Sequence, residues 1–276
     1  MVTEPDAWSG GLGPSRHLGA GRPARHRARS AGTTAGLIAA IFGGIGLLVS
    51  LAGLAIQVLP RRFSAAQQQQ IMAWEVSQRW RTLPAGDIFP ASVRYQLPAS
   101  ALNDIVGVSL EAPRAGIAPQ AACAGGTDPA AARALDRHGC QALLRATYTD
   151  ESATYVMTVG VAVLAGAAQS SAAQAALARA GGNTQPRPGI RAVALGSTPA
   201  SRFGAAQRQL SGSFSAGPYV IMYTAGYADG RPRLPLSDDP YAQNEMTSAA
   251  LGVAQAVAET LAAPPAVPHC PGAPEC

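Results

Sequence analysis

Beyond the first sixty residues, only two histidines, His138 and His269, are available for acid-base or metal chemistry. A nucleophile, base and orienting acid can be assembled on paper from Ser213, His138 and Asp136. No Gly-x-Ser-x-Gly elbow accompanies them, and Ser213 lies in the stretch SGSFSAG, which reads as a turn. His-Glu-x-x-His is also absent. Asp150 with Glu151 and Asp238 with Asp239 are paired carboxylates such as a glycosidase uses. The first pair falls at a turn and the second at a helix start, where carboxylates bracket backbone N–H groups. His138, Cys140, His269 and Cys270 make a mixed nitrogen and sulfur set suited to zinc, but without Cys-x-x-Cys or paired-His spacing. All 21 basic residues are arginine. The lack of lysine excludes a Walker phosphate loop, Schiff-base chemistry and a Ser-x-x-Lys nucleophile. The expectation is no catalytic residue, no metal and no cofactor.

The four cysteines, Cys123, Cys140, Cys270 and Cys276, take their meaning from the compartment they occupy. That is set by the run from Ala35 to Leu59, which carries no charge and has Gln57 as its one strongly polar side chain. At about 1.5 Å per residue the run exceeds the roughly 30 Å hydrocarbon core. It is too long for a secretory signal. The nearest small-x-small pair, Ser64 and Ala66, lies beyond Pro60, Arg61 and Arg62, so the run is expected to be an uncleaved anchor.

Arg16, Arg22, Arg25, Arg27 and Arg29 precede the run, against Arg61 and Arg62 at its far end and Arg79 and Arg81 farther on. This bias places the N-terminus in the cytoplasm and the residues after Leu59 outside. The cysteines are then external and read as disulfides, of which Cys123 with Cys140 and Cys270 with Cys276 are favoured over the other pairings. The first would contribute about 3 kcal/mol by loop closure.

Charge divides in the same way. The first 34 residues hold five arginines against Glu4 and Asp6, and the remainder holds sixteen arginines against fourteen acids, so the net +5 is mostly a property of the tail. No basic patch interleaved with aromatics marks the rest for nucleic acid. The tail, rich in Gly, Pro, Ser and Arg, lacks the apolar residues a fold needs and is expected to be disordered, with its arginines set against lipid headgroups. Within the anchor, Gly36, Ala40 and Gly44 form a small-xxx-small row of the kind that lets membrane helices approach and dimerise.

The elements that would position any site follow from periodicity. Residues 63–83 carry Ile71, Trp74 and Gln78 on one helical stripe and Met72, Val76, Arg79 and Leu83 on another. Trp74 and Trp80 are expected to pack this helix on the domain. SVRYQLP alternates as a half-buried strand, and Asn103–Leu110 reads as a short second strand. APRAGIAPQAACAGG is too rich in Pro, Ala and Gly for a regular element. A short helix over Asp128–Arg137 follows, capped by Thr127, with Pro129 in its first turn and Gly139 past its end.

QALLRATYTDESATYVMTVGVAVL is a β-hairpin whose second strand has a face of small residues that something can cover. An alanine-rich helix from Ala167 to Ala180 comes next. RQLSGSFSAGPYVIMYTAGYAD gives a second hairpin. A final helix, with Asp239 as cap and Pro240 in its first turn, puts Met246, Ala249, Ala250, Val253, Val257 and Leu261 on one face. Two hairpin-then-helix units suggest an internal repeat.

The fold class expected is α+β, an antiparallel sheet with packed helices behind one N-terminal transmembrane helix. The divisions are a basic cytoplasmic tail (1–34), a transmembrane helix (35–59), a juxtamembrane helix (60–84), an extracytoplasmic domain (85–263) and a Pro-rich, Cys-containing tail (264–276). This layout, with GCQALLRATYTDESATYVMTVGVAVL after an upstream cysteine, resembles single-pass envelope proteins of actinomycete bacteria, some near secretion machinery. More loosely it is similar to disulfide-tied sensor ectodomains of mycobacterial receptor kinases. The resemblance implies binding or scaffolding in the cell envelope, with the bilayer and other envelope or membrane proteins as partners, and it transfers no site residue. Two alternatives stay open: a membrane-tethered hydrolase built around His138, and a ligand sensor signalling through dimerisation of the span.

Overall fold

A computed structural model describes residues 50, 64–97, 108–182, 185–234 and 240–265. The chain divides into two compact units, Met1–Pro60 and Arg61–Cys276, and every element below belongs to the second. Of the expected span only Ser50 is described, so the 35–59 reading and the Gly36, Ala40 and Gly44 row lie outside the described residues, as do Asp238, Asp239, His269, Cys270 and Cys276. Among the described residues no helix is long and apolar enough to cross a membrane.

Helix α1 (Ala65–Thr82) starts where Ser64 Oγ accepts from the Gln67 N–H while Gln67 Oε1 accepts from the Ser64 N–H. This reciprocal cap satisfies donors that the first turn leaves unpaired. A short helix α2 (Ala85–Ile88) leads into β1 (Ser92–Leu97), whose Val93, Tyr95 and Leu97 are buried in strict alternation. Strand β2 (Val108–Ala121) follows, then α3 (Cys123–Gly126), α4 (Pro129–Arg137), β3 (Ala142–Thr149), β4 (Tyr155–Val163) and α5 (Ala167–Gly181). Two short 3-10 turns precede β5 (Arg208–Ala216) and β6 (Tyr219–Tyr227), and α6 (Pro240–Ala262) closes the unit. The fold is α+β, with one antiparallel sheet in the order β1-β2-β3-β4-β6-β5.

Two expectations are corrected. APRAGIAPQA is most of strand β2, not an irregular segment. Its prolines sit where a missing N–H does least harm: Pro113 pairs with Ser92 at the end of the β1 ladder, and Pro119 lies in the irregularity between Ala118 and Ala121. The cap of α4 is Asp128, not Thr127, whose hydroxyl donates to Cys123 O. Asp128 makes no capping hydrogen bond, because its carboxylate is engaged elsewhere.

The sheet is covered on both faces. Tyr155, Met157, Val159, Val161 and Val163 of β4, with Tyr219 and Ile221 of β6, meet α6 and α1 in the larger core. All six residues expected on the inner face of α6 are fully buried, each large apolar one contributing about 1.5–3 kcal/mol. At Gly252, α6 lies so close to β1 that a Cβ would stand 2.5 Å from Tyr95 Cβ. On the opposite face α3, α4 and α5 pack on Leu143, Ala162, Val220 and Met222. There the small residues of β4 are roofed by the 185–207 segment: a Cβ at Gly160 would overlap Ile190 Cδ1, and Thr158 Oγ1 accepts from Val193 N–H.

The two hairpins join through β4 and β6 in a register centred on Val159 and Tyr223, with Tyr155 opposite Tyr227 and Val163 opposite Tyr219. A local two-fold through that centre carries YVMTVGVAV onto YVIMYTAGY residue by residue. The repeat stops at the strands, since α5 covers one face and α6 the other. At the sheet edge, β5 has outward backbone groups bonded by amide side chains: Gln174 Nε2 donates to Ser213 O, and Gln185 Oε1 accepts from Ser211 N–H.

Candidate functional site

The residues singled out for chemistry are mostly structural. Cys123 and Cys140 form a disulfide, so the Cys140 thiolate that a zinc site with His138 would need is not available. His138 is the C-cap of α4, its N–H bonded to Asp136 O and Leu135 O. Among the described residues no side-chain hydrogen bond links His138 with Asp136 or Ser213, and no group of three or more His, Cys, Asp or Glu is placed to hold a metal. Asp150 is buried as the bracket of the first hairpin, accepting from Tyr155 N–H, Ser152 N–H and Ser152 Oγ. The turn role expected for it is the one observed.

Among the described residues one ion pair is largely buried. Arg208, with a side chain 6% exposed, reaches both oxygens of Asp128 from Nη1 at 2.9 and 2.8 Å, donates from Nε to Thr224 Oγ1, and donates from Nη2 to Arg187 O. Asp128 Oδ2 also accepts from Gly189 N–H. The pair therefore ties β5 to α4 and to the strap that lays Ile190 on Gly160. Farther along the same face, burial and the nearby Arg191 charge lower the pKa of Arg145, and its Nε is buried without a partner among the described residues. On the other face burial raises the hydroxyls of Tyr95 and Tyr148 far above the usual phenol value. Tyr219, which donates to Val76 O, is pushed up to about 12 by burial.

An apolar groove of about 500 Å³ lies where α1, the end of α6 and two turns meet. Gln69, Met72, Ala73, Trp74, Val76 and Ser77 of α1 form one wall, Ala262 and Pro264 a second, and Ala165–Ala167 with Gly217 and Pro218 the floor. Each wall is fixed by a specific contact. Arg79 Nη1 donates to Thr260 O, Leu261 O and Ala263 O at 3.3, 3.3 and 2.6 Å, so a cation on α1 caps the C-terminus of α6. The two-residue turn between β5 and β6 has Gly217 at φ +54°, where a side chain would be strained, and a Cβ there would stand 3.5 Å from Val76 Cγ1 and 3.7 Å from Ala262 Cβ. Ser170 Oγ donates to Gly217 O and so holds that turn against α5.

Trp74 corrects the expectation that both tryptophans pack the helix. Trp80 is packed against the larger core with the Arg81 guanidinium over its ring, but Trp74 is 48% exposed at the groove. The stripe that turns inward contains Val76, and Trp74, two residues earlier, points about 200° away from it. The groove is not legible in the sequence because its walls come from segments almost 200 residues apart. The usable signals were a tryptophan on the outward stripe and the Gly217-Pro218 turn. Comparison of this chain with protein-family models, curated proteins and solved structures finds no match.

Proposed function

We propose that this protein is a single-pass, membrane-anchored binding or scaffold protein of the bacterial cell envelope. In this reading its folded unit lies outside the cytoplasm and takes an apolar segment of another membrane or envelope protein into the groove beside Trp74. The groove carries the reading. It is large enough for several aliphatic side chains, it is built from four elements held in register, and it leaves a tryptophan half in water. Tryptophan is enriched among the residues that dominate binding energy, and an exposed apolar recess is costly unless something fills it. The groove lacks the converging titratable groups that an enzyme pocket uses.

The choice of occupant follows from the order of the chain. Only residues 61–64 separate Pro60, at the end of the apolar run, from Ala65 of α1, which forms the longest wall. If that run is the anchor, the partners within reach are those held at the same membrane.

The test is a photo-crosslinking residue at position 74 in the full-length chain, with a second variant carrying it at exposed position 94. The expected result is an adduct from position 74 alone, to an apolar stretch of a membrane or envelope protein, lost when Met72→Asp is added. An adduct to residues 266–276 of the same chain, or equal labelling from both positions, would overturn the reading.

A further inference from the structure

Between α4 and α5, on the sheet face opposite α6, lies a second cleft of about 330 Å³. Its cationic side chains are Arg133, Arg137 and Arg179, over a floor of Ala130, Ala134, Ala176 and Ala180, with no acid among the lining residues. Arg133 and Arg137 are i and i+4 on α4, a like-charge spacing that disfavours the helix, and Arg179 faces them from the last turn of α5. All three are exposed, and none takes part in an ion pair among the described residues. Arg137 and Arg179 have a helix-end role, complementing the C-terminal carbonyls. Arg133, in mid-helix, has none, and the Asp136 carboxylate that would offset it does not line the cleft.

The surroundings add to the same field. The 185–207 strap on this face contributes exposed Arg187 and Arg191 and no acid, its Arg202 lies beside Asp229, and Asp128 is already neutralised by Arg208. The opposite face and its edge mix Glu75, Asp87, Glu111, Glu245 and Glu259 with Arg79, Arg81, Arg94 and Arg114. Positive charge is therefore concentrated on one side of the unit.

We infer that the α4–α5 cleft is an anion site for a phosphate group bearing more than one negative charge, a phosphomonoester or a pyrophosphate. A carboxylate fills one guanidinium fork, whereas a tetrahedral phosphate offers oxygens in the several directions from which three arginines approach. The alanine floor leaves room for it between the helices. The inference is independent of the groove beside Trp74, which is lined by different elements.

The experiment uses the full-length chain in non-ionic detergent at low ionic strength, where exposed charges are least screened. Inorganic pyrophosphate is titrated calorimetrically in one arm, and phosphatidic acid is presented in mixed micelles against phosphatidylcholine in the other. The triple variant Arg133→Gln, Arg137→Gln, Arg179→Gln is compared with Arg187→Gln, Arg191→Gln, Arg202→Gln, which removes the same charge from the same face outside the cleft. Circular dichroism confirms that both are folded.

The expected result is binding weakened about tenfold for each cleft arginine removed, and less than about threefold in total for the control triple. Cleft-dependent binding in the first arm identifies a soluble phosphate compound as the source, and in the second arm alone a lipid headgroup. Equal losses in the two triples, or no binding in either arm, would overturn the site.

Discussion

Replacing Arg208 by methionine tests the claim that one buried pair holds the strap over the sheet. The change keeps the aliphatic stem and removes four hydrogen bonds, two of them to Asp128. Breaking a buried pair from one side costs about 3–5 kcal/mol, because the surviving charge is left without compensation. Asp128 retains the Gly189 N–H and its side chain is 22% exposed, so water reaches it and the low end applies, about 3 kcal/mol. For a folded unit of this size that corresponds to a fall in Tm of about 6–12 °C.

Thermal unfolding of the purified full-length chain, followed by circular dichroism, reads the effect. The double variant Arg208→Met, Asp128→Asn should recover most of the loss, since it removes both charges together. Amide exchange at Gly189 should rise in the single variant, because its N–H is bonded to the carboxylate that loses its partner. A single-variant cost below about 1 kcal/mol, or a double variant at least as unstable as the single, would refute the reasoning.

Alkaline pH should destabilise the unit through its buried tyrosines. Tyr219 has a folded pKa of about 12 against 10.0 unperturbed, so the neutral hydroxyl is favoured in the fold. Its stabilising contribution is complete below pH 10 and is lost as pH rises from about 10 to 12, on the order of 3 kcal/mol; Tyr219→Phe should flatten that part of a stability–pH curve. Reduction of Cys123–Cys140, or Cys123→Ser with Cys140→Ser, should lower stability by about 3 kcal/mol in denaturant titration, and an unchanged midpoint would deny the bond its structural role. Gly252→Ala should cost about 1–3 kcal/mol by forcing α6 off Tyr95, and an unchanged Tm would show that the helix does not pack as closely as described.

The parts of the fold that sequence reveals are those where a period and a burial pattern agree. Strand β1 alternates buried with exposed residues and α6 keeps its apolar residues on one stripe, so each declares its own inner face, whereas β4 is legible by its unbroken run of apolar and small residues and is buried on both faces. Strand β2 does not declare itself, because its identity comes from two neighbours that accept its prolines at the end of one ladder and in a bulge of the other. The cap of α4 lies one residue beyond the one the sequence suggests for a similar reason: Asp128 is claimed by Arg208, 80 positions away. Both concave sites depend on distant segments meeting. A row of alanines and arginines on α4 looks like an ordinary solvated helix until α5 is laid beside it.

The amide-bonded edge of β5 has a consequence for assembly. A sheet commonly recruits a peptide or a second copy by adding a strand to its margin, where unpaired backbone groups serve as the template. At β5 an incoming strand would first have to displace Gln174 from Ser213 O and Gln185 from Ser211 N–H, both neutral contacts that also anchor α5 and the 185–207 strap. Sheet extension on that side would thus loosen the layer that covers the sheet. The β5 margin is protected from edge-to-edge aggregation without a charged residue standing guard.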